Sequence, residues 1–189
     1  MPGLLRSGHP GQGSIPGVEL RPACPEDRSR LFALMSEAGL CPRLTPRPPE
    51  LDTPRFFVAD SNGLVVGMSG YTRLDGGKGK ARLLAVDPSW RHRGIGEQLH
   101  RLRMRALWDV GCKVIVSYTD RPPLAHWLCL RFGYEEVRRE PKGSPGPKPA
   151  HPGPSGADAV LDEWIVLEGD LRPWRDQLQT MAGLRGGEI

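Results

Sequence analysis

A short basic segment that contains two glycines carries the clearest chemical signal in the sequence. Residues 91–96 read Arg-His-Arg-Gly-Ile-Gly. The apolar run over residues 83–86 predicts a buried strand before this segment, and helical periodicity over residues 96–110 predicts a helix after it. A strand, a glycine loop and a helix in this order direct unpaired backbone N–H groups and a positive helix end at one point. Such a point is suited to binding phosphate.

The side chains of this segment fit the same chemistry. Gly94 and Gly96 have no Cβ, so a ligand can approach the backbone closely. Arg91 and Arg93 add positive charge and forked donors that suit pyrophosphate oxygens. Two common phosphate loops are excluded, because Leu99 occupies the third glycine position of G-x-G-x-x-G and no Gly-Lys-Ser or Gly-Lys-Thr triplet occurs in the chain.

The remaining pattern, Arg-x-x-Gly-x-Gly after a Leu-x-Val-x-Pro strand, resembles the coenzyme A loop of the GNAT superfamily of N-acetyltransferases. The resemblance is sharp over residues 83–134 and extends over residues 18–140 as an order of elements. It implies that acetyl-CoA is the co-substrate and that its acetyl group passes directly to an amine. It also implies which residues bind acetyl-CoA, through the fourth strand for pantetheine and the loop for pyrophosphate: Leu84, Ala85, Val86, Arg91, Arg93, Gly94, Ile95 and Gly96.

A second family motif falls on the predicted helix over residues 122–132. The family pattern Ala-x-x-Leu-Tyr-x-x-x-Gly-Phe is matched at Ala125, Leu128, Gly133 and Tyr134. Cys129 stands where the family has the tyrosine that usually protonates the departing thiolate. A thiolate is a tolerable leaving group near neutral pH, so this replacement does not exclude catalysis. The proton donor stays open among a water molecule and three side chains: Cys129, Tyr118 and Tyr134.

Two further alternatives concern the catalytic groups. Because His126 lies three residues before Cys129, the pair could share a helix face and form an acetyl-cysteine intermediate, whereas simple packing of the thiol is the competing interpretation. Some family members carry a glutamate early in the fourth strand as general base, and this chain has Lys-Ala-Arg at residues 80–82. Asp87 fits a turn cap better than a base. The base could be one of the other acids near predicted strand ends, Asp75, Asp120 and Glu163, or bulk water through a relay.

The pattern of elements predicts one α/β (α+β) domain over residues 18–170. It has a GNAT-like mixed, mostly antiparallel seven-stranded sheet flanked by helices, and the strand–helix–strand unit around the loop implies a parallel pair. In the resembled family this pair splays apart at the CoA site. Composition predicts a disordered tail over residues 1–17 and a flexible Pro/Gly-rich insert over residues 141–157. Residues 171–189 are predicted as an extension with a short helix, and five prolines within residues 41–54 exclude a long helix there.

Composition also limits which cellular compartment and which classes of binding partner are expected. A formal net charge of +4 over 189 residues suits an anionic ligand but argues against nucleic acid. Four cysteines without Cys-x-x-Cys spacing predict reduced thiols in the cytoplasm rather than disulfides or a metal site. No apolar run has the length of a membrane span, so no membrane partner is expected. Analogy with the resembled family leaves a homodimer through the last strands open.

These observations together favour an enzyme that binds acetyl-CoA and acetylates an amine whose identity the sequence does not give. The alternative is a catalytically degenerate member of the same family that binds acyl-CoA as a sensor or scaffold. The replaced tyrosine and the absence of an obvious base are the features that support this alternative.

Overall fold

The computed structural model describes residues 15–40, 55–142 and 162–181. Seven strands form one sheet: β1 (Glu19–Pro22), β2 (Phe56–Ser61), β3 (Leu64–Arg73), β4 (Lys78–Val86), β5 (Val114–Thr119), β6 (Glu135–Pro141) and β7 (Glu163–Asp170). Four α-helices accompany it: α1 (Arg28–Glu37), α2 (Ile95–Asp109), α3 (Pro122–Phe132) and α4 (Arg175–Thr180). None of the helices described is both long and apolar enough to span a membrane.

The strands lie in the order β1-β2-β3-β4-β5-β7-β6. Neighbouring strands are antiparallel except β4 and β5, which are parallel and are joined through α2. A parallel pair needs such a crossover connection, because its strands run in the same direction. The predicted fold class, a mixed and mostly antiparallel seven-stranded sheet flanked by helices, is confirmed.

Helices cover the sheet on both faces and define two core layers. On one face, which we call the α1 face, Leu31 and Leu34 pack with Phe56 and Met68 of the sheet. On the other, the α2 face, the buried residues of α2 and α3 pack against the strands, and Leu99 and Leu107 are fully buried. A Cβ on Gly79 would overlap Leu107, so the close approach of α2 to β4 requires glycine at this position.

Two details of the sheet differ from the prediction. The seventh strand is predicted over residues 159–167 but is found at Glu163–Asp170, because it pairs with the whole length of β5, from Thr119↔Ile165 to Val114↔Asp170. Bulges are predicted at Gly67 and Gly70, whereas the shifts in register leave Val66 and Leu83 as the extra residues.

The remaining differences concern helices and the uncertain segments. The predicted C-terminal helix becomes a 3₁₀ turn at Arg172–Trp174 followed by α4. Most of the predicted tail, the proline-rich stretch over residues 41–54 and nearly all of the predicted insert lie outside the described residues. The domain boundaries drawn from composition therefore stay a prediction.

Candidate active site

One cavity of about 430 Å³ opens where β4, the loop after it and the start of α3 meet. Its volume lies within the range usual for small-molecule sites. The wall combines the last residues of β4, the loop with the first turn of α2, the first half of α3 and the end of α1. The lining residues are Leu84, Ala85, Val86, Trp90, Arg91, His92, Gly94, Ile95, Gly96, Glu97, Arg121, Pro123, Leu124, Trp127 and Ala38.

The cavity exists because β4 and β5 separate after a short paired segment. Their parallel pairing covers only Lys78↔Val114, Gly79↔Ile115 and Lys80↔Val116. Beyond Lys80, β4 continues to Val86, still paired with β3 on its other side. Within the described sheet, the β5 side of residues 82–86 has no strand partner. An extended ligand can therefore lie along this backbone edge in the manner of an added strand.

A β-bulge marks the point where the edge becomes free. In the β3–β4 ladder Ser69 pairs with Leu84 and Gly70 pairs with Arg82, so Leu83 is the extra residue. Leu83 has φ +38°, a left-handed conformation that is uncommon for a leucine. Bulges bend a strand and interrupt its regular pairing, and they are frequent beside active sites. The bulge thus redirects the backbone groups of β4 at the inner end of the cavity.

The outer end of the cavity is the loop that the sequence singled out. Gly94 has φ +83° and is the N-cap residue of α2, a conformation that favours glycine. The first turn of the 15-residue α2 faces the cavity, so unpaired N–H groups and the positive helix end point into it. Arg91 lies exposed at the rim and donates through Nε to the Val86 carbonyl at 3.2 Å. The loop is therefore built to receive an anion.

Of the residues predicted for acetyl-CoA binding, all but Arg93 line this cavity. The Arg93 guanidinium lies over the Trp90 ring, 4.7 Å from its centroid, and donates to the Ser89 carbonyl. Ile95 contributes to the wall but is also a buried core residue beneath the loop. The assignment of these residues to a ligand stays a prediction.

The three predicted proton donors do not come together. Tyr118 lies on β5 two residues beyond the last pair with β4, and its hydroxyl accepts a hydrogen bond from Arg138 at 3.3 Å. Tyr134 is buried on the α2 face, where its hydroxyl lies 3.2 Å from His100 Nε2. Cys129 lies on α3, half-buried. None of the three lines the cavity, and only Tyr118 lies at the opening between β4 and β5.

The environment of Cys129 bears on the covalent hypothesis. Burial raises the pKa of its thiol, and the carboxylate of Glu136 on β6 raises it further. A raised pKa lowers the fraction of thiolate, which is the nucleophilic form. His126 is exposed on α3. The covalent route through Cys129 therefore gains no support from this environment.

Three of the four acids considered as bases are bound to other side chains, and the fourth is exposed away from the cavity. Asp87 caps the turn as predicted, accepting from the Ser89 N–H at 3.0 Å, and its side chain also binds Arg30. Asp120 is paired with Lys142 at 2.5 Å, and Glu163 is paired with Arg139 at 2.9 Å. Asp75 lies exposed in the turn before β4. No carboxylate among the described residues lines the cavity apart from Glu97, which is bound by Arg101 and Arg131.

The polar residues His100, Arg101, Arg103 and Arg105 fall outside the apolar stripe of α2, so the sequence predicts a solvated basic face for most of them. This prediction is wrong. His100 and Arg103 are buried, with 0% and 3% of their surface exposed. The Arg101 guanidinium lies over Trp174, and Arg105 binds Asp109 and the Leu178 carbonyl. The chain after β7 packs on this side of α2. It therefore covers polar residues of the helix as well as its apolar stripe.

The buried part of this face forms a hydrogen-bonded chain that no local sequence pattern predicts. Arg103 Nε donates to His100 Nδ1 at 2.6 Å, and His100 Nε2 meets the Tyr134 hydroxyl. Burial lowers the pKa of Arg103 to about 10 and raises that of Tyr134. Arg103 also reaches the Arg82 carbonyl at 3.5 Å, next to the bulge. These hydrogen bonds therefore connect the core of the α2 face to the inner end of the cavity.

Burial of His100 leads us to expect that the free energy of unfolding depends on pH in a specific way. Its pKa lies well below its usual value, first because of burial and then because of Arg103 and Arg101. Below pH ~6.5 the unfolded chain takes up a proton at this histidine and the folded chain does not, so the free energy of unfolding falls as the pH falls, by up to about 1.4 kcal/mol per pH unit. Urea unfolding between pH 7.5 and 5 measures this slope. His100→Gln should reduce it, whereas the exposed control His126→Gln should not; equal slopes in all three proteins would contradict the assignment.

Among the cavity residues that the sequence analysis did not assign, Arg121 and Trp127 join distant parts of the chain. Arg121 precedes α3 and donates to the Ala38 carbonyl at the end of α1, so it bridges the two layers across the cavity. The rings of Trp127 and His100 pack edge to face with centroids 5.8 Å apart, and Trp127 also lines the cavity. An arginine capping a carbonyl of a distant helix leaves no local signal, because the contact joins residues 83 positions apart.

A family model described as an acetyltransferase (GNAT) domain matches residues 52–136, which include β2 to β5, the loop, α2 and α3. Over these residues the chain matches the GNAT superfamily. The predicted family is thereby confirmed over this segment, and every residue that lines the cavity except Ala38 lies within it.

Curated relatives agree with this placement over part of their length. The amino-acid acetyltransferase of Ectopseudomonas mendocina is 32% identical over an alignment of 141 positions that covers 69% of this chain and 32% of that protein. The chain thus spans about a third of the length of the curated relatives that it matches.

Solved structures show the same fold. An N-acetyltransferase from Staphylococcus aureus Mu50 superposes with a TM-score of 0.61 at 19% identity, over 82% of this chain and 99% of that one. The N-acetylglutamate synthase from Neisseria gonorrhoeae, complexed with coenzyme A and N-acetyl-glutamate, also gives a TM-score of 0.61, at 17% identity, over 82% of this chain and 35% of that one. At these identities the likeness establishes the architecture.

Proposed function

We propose that the protein is an acetyl-CoA-dependent N-acetyltransferase that moves the acetyl group directly to an amine. The observation that carries the proposal is the joining, in one cavity, of an anion-binding helix start and a free strand edge. Pyrophosphate at the loop and pantetheine along β4 would use both features at once. The N. gonorrhoeae relative, whose structure holds coenzyme A, supports this choice of co-substrate.

In this proposal the loop anchors one end of acetyl-CoA and the edge of β4 aligns the rest. N–H groups of Gly94, Ile95 and Gly96 and the Arg91 guanidinium bind the pyrophosphate, because they combine free donors with positive charge. Leu84, Ala85 and Val86 offer backbone donors and acceptors to the amides of pantetheine. This alignment carries the thioester inwards, to the bulge at Leu83.

The reaction proposed there is a direct transfer. The neutral amine attacks the thioester carbonyl carbon, and its lone pair forms the C–N bond while the C=O π pair moves to oxygen. Backbone donors near the bulge stabilise the negative charge on that oxygen. Collapse of the intermediate breaks the C–S bond, the sulfur leaves as thiolate and takes up a proton, and the former amine nitrogen loses one. Positioning and polarisation do most of this work, so the absence of a carboxylate base at the start of β4 does not prevent it.

Among the three candidate proton donors the geometry favours Tyr118. It lies two residues beyond the last residue of β5 that pairs with β4, whereas Tyr134 is enclosed by the core and Cys129 packs against the same core. We expect Tyr118→Phe to lower kcat at least about tenfold, since general acid catalysis is typically worth 10²–10⁴-fold and water can replace part of it. The Kd of acetyl-CoA should not change. Steady-state kinetics with thiol detection measures both quantities, and Cys129→Ala serves as the comparison variant.

Amino acids are the first acceptors to test, because the curated relatives are named amino-acid acetyltransferases. The test incubates the protein and acetyl-CoA with a panel of amino acids and detects released thiol, with mass spectrometry of the acceptor. Amine-dependent thiol release with an acetylated product supports the proposal. Saturable acetyl-CoA binding without any transfer would instead assign the protein to the sensor or scaffold alternative.

A further inference from the structure

Two cations lie on β4 just beyond the inner end of the cavity. Lys80 and Arg82 are two residues apart on the strand, so their side chains lie on the same face of the sheet, the α1 face. Both are half-buried. Lys80 Nζ lies 4.3 Å from the centroid of the Tyr118 ring. Arg82 donates to Thr72 Oγ1 at 3.4 Å. Both contacts fix the position of a cation and neither neutralises its charge.

Within the described part of the chain, neither cation has a carboxylate partner, and this distinguishes them from their neighbours. On the same half of the sheet, Lys78 pairs with Glu168 at 2.7 Å and Arg138 pairs with Glu140 at 2.6 Å. A half-buried cation without a counter-ion is costly, because desolvation removes water that no protein charge replaces. Such a pair is suited to an anionic group that arrives from outside.

The strand itself relates these cations to the reaction centre. From Arg82 the chain passes through the bulge at Leu83 directly to Leu84 on the cavity wall. With a rise of roughly 3.3 Å per residue, Arg82 and Lys80 stand about 7 and 13 Å along the strand from Leu84. An acceptor that brings its amine to a thioester at the bulge would place its other polar groups beside these two cations.

We propose that Lys80 and Arg82 bind a carboxylate of the acceptor, so that the substrate is an amine that also carries a carboxylate. The inference rests on the acetyl transfer proposed above and adds the class of acceptor and the residues that select it. The same cations disfavour a positive charge on the nearby amine. They therefore increase the neutral, nucleophilic fraction of the acceptor without a carboxylate base.

The experiment compares acceptors that differ only in a carboxylate. L-leucine is paired with L-leucinamide, L-glutamate with L-glutamine, and an acidic tetrapeptide with its neutral analogue, so that free amino acids and peptides are distinguished. The wild-type protein is compared with Lys80→Gln and Arg82→Gln. The control is Arg73→Gln, which removes an exposed cation at the end of the adjacent strand β3.

We expect the wild type to prefer the carboxylate member of at least one pair. In Lys80→Gln and Arg82→Gln this preference, measured as a ratio of kcat/KM values, should fall roughly 10- to 100-fold, since a charge-assisted hydrogen bond is lost. The acetyl-CoA Kd should be unchanged in both variants, and Arg73→Gln should retain the full preference. Equal use of amide and carboxylate acceptors by the wild type overturns the inference, as does an unchanged ratio in both variants.

A binding measurement keeps the two proposals distinguishable. L-glutamate is titrated calorimetrically into protein saturated with coenzyme A. Binding that Arg82→Gln weakens supports the carboxylate site even if no turnover is detected, in which case only the proposed transfer fails. Turnover of neutral amines without any carboxylate preference overturns the carboxylate site and leaves the proposed transfer intact.

Discussion

Gly94→Glu is expected to weaken the binding of acetyl-CoA by about 10³-fold or more. The new carboxylate would stand at the start of α2, where the pyrophosphate is proposed to lie, and like charges in contact cost several kcal/mol. It would also compete for the N–H groups of the loop, and each charge-assisted hydrogen bond lost is worth roughly 1.5–3 kcal/mol. Isothermal titration calorimetry of acetyl-CoA measures the effect.

The chain offers a closely matched control for this substitution. Gly63 in the β2–β3 turn has φ +85°, against +83° at Gly94, and a Cβ at either position meets nothing within 4 Å. Gly63→Glu therefore imposes the same left-handed backbone on a glutamate, at a comparable cost in stability. We expect it to bind acetyl-CoA like the wild type. If both variants lose binding to the same extent, backbone strain and not the loop is responsible, and the pyrophosphate assignment fails.

Deletion of Leu83 is expected to lower kcat/KM for acetyl transfer by about 10²- to 10³-fold while the fold is retained. Removing the one unpaired residue joins Arg82 directly to Leu84, and the two flanking pairs with β3 become consecutive. The strand then runs straight, so the backbone donors that are proposed to stabilise the tetrahedral intermediate are no longer directed at it. Loss of one such donor costs about 10²–10³-fold in kcat. The measurement is steady-state thiol release.

Leu83→Gly tests whether the bulge, and not the leucine, is responsible. Glycine adopts the φ of +38° without strain, so the variant keeps the bulge and loses only the packing of a side chain against the α1 face. Its activity should stay within a few-fold of the wild type. Deletion of Leu83 without loss of activity would show that the bulge has no catalytic role.

The loop and the fold were predictable because their signals are local. The spacing of Gly94 and Gly96 after an apolar strand specifies strand, turn and helix within a short window, and Gly94 indeed adopts a left-handed N-cap conformation. Periodicity of two and of 3.6 residues located the strands and helices, and the crossover rule gave the parallel β4–β5 pair.

The inner half of the site was not predictable because it depends on distant contacts. His100 and Arg103 read as polar residues on a solvated helix face, and only packing by α3, Tyr134 and the chain after β7 buries them. The bulge at Leu83 also has no recognisable sequence pattern, because it arises from a register difference between two strands and not from a glycine. Lys80 has no carboxylate partner on the described strands β5 and β7, and no spacing within β4 reveals this.

The central claim is that this GNAT domain transfers the acetyl group of acetyl-CoA to an amine. The most direct test incubates the protein with acetyl-CoA carrying an isotopically labelled acetyl group and an amino-acid panel, and follows the label by mass spectrometry. The account predicts a labelled N-acetyl product whose formation requires both the protein and the amine and is abolished in Gly94→Glu. Release of thiol with the label appearing only in free acetate, or saturable binding of acetyl-CoA with no labelled product from any amine, would contradict it.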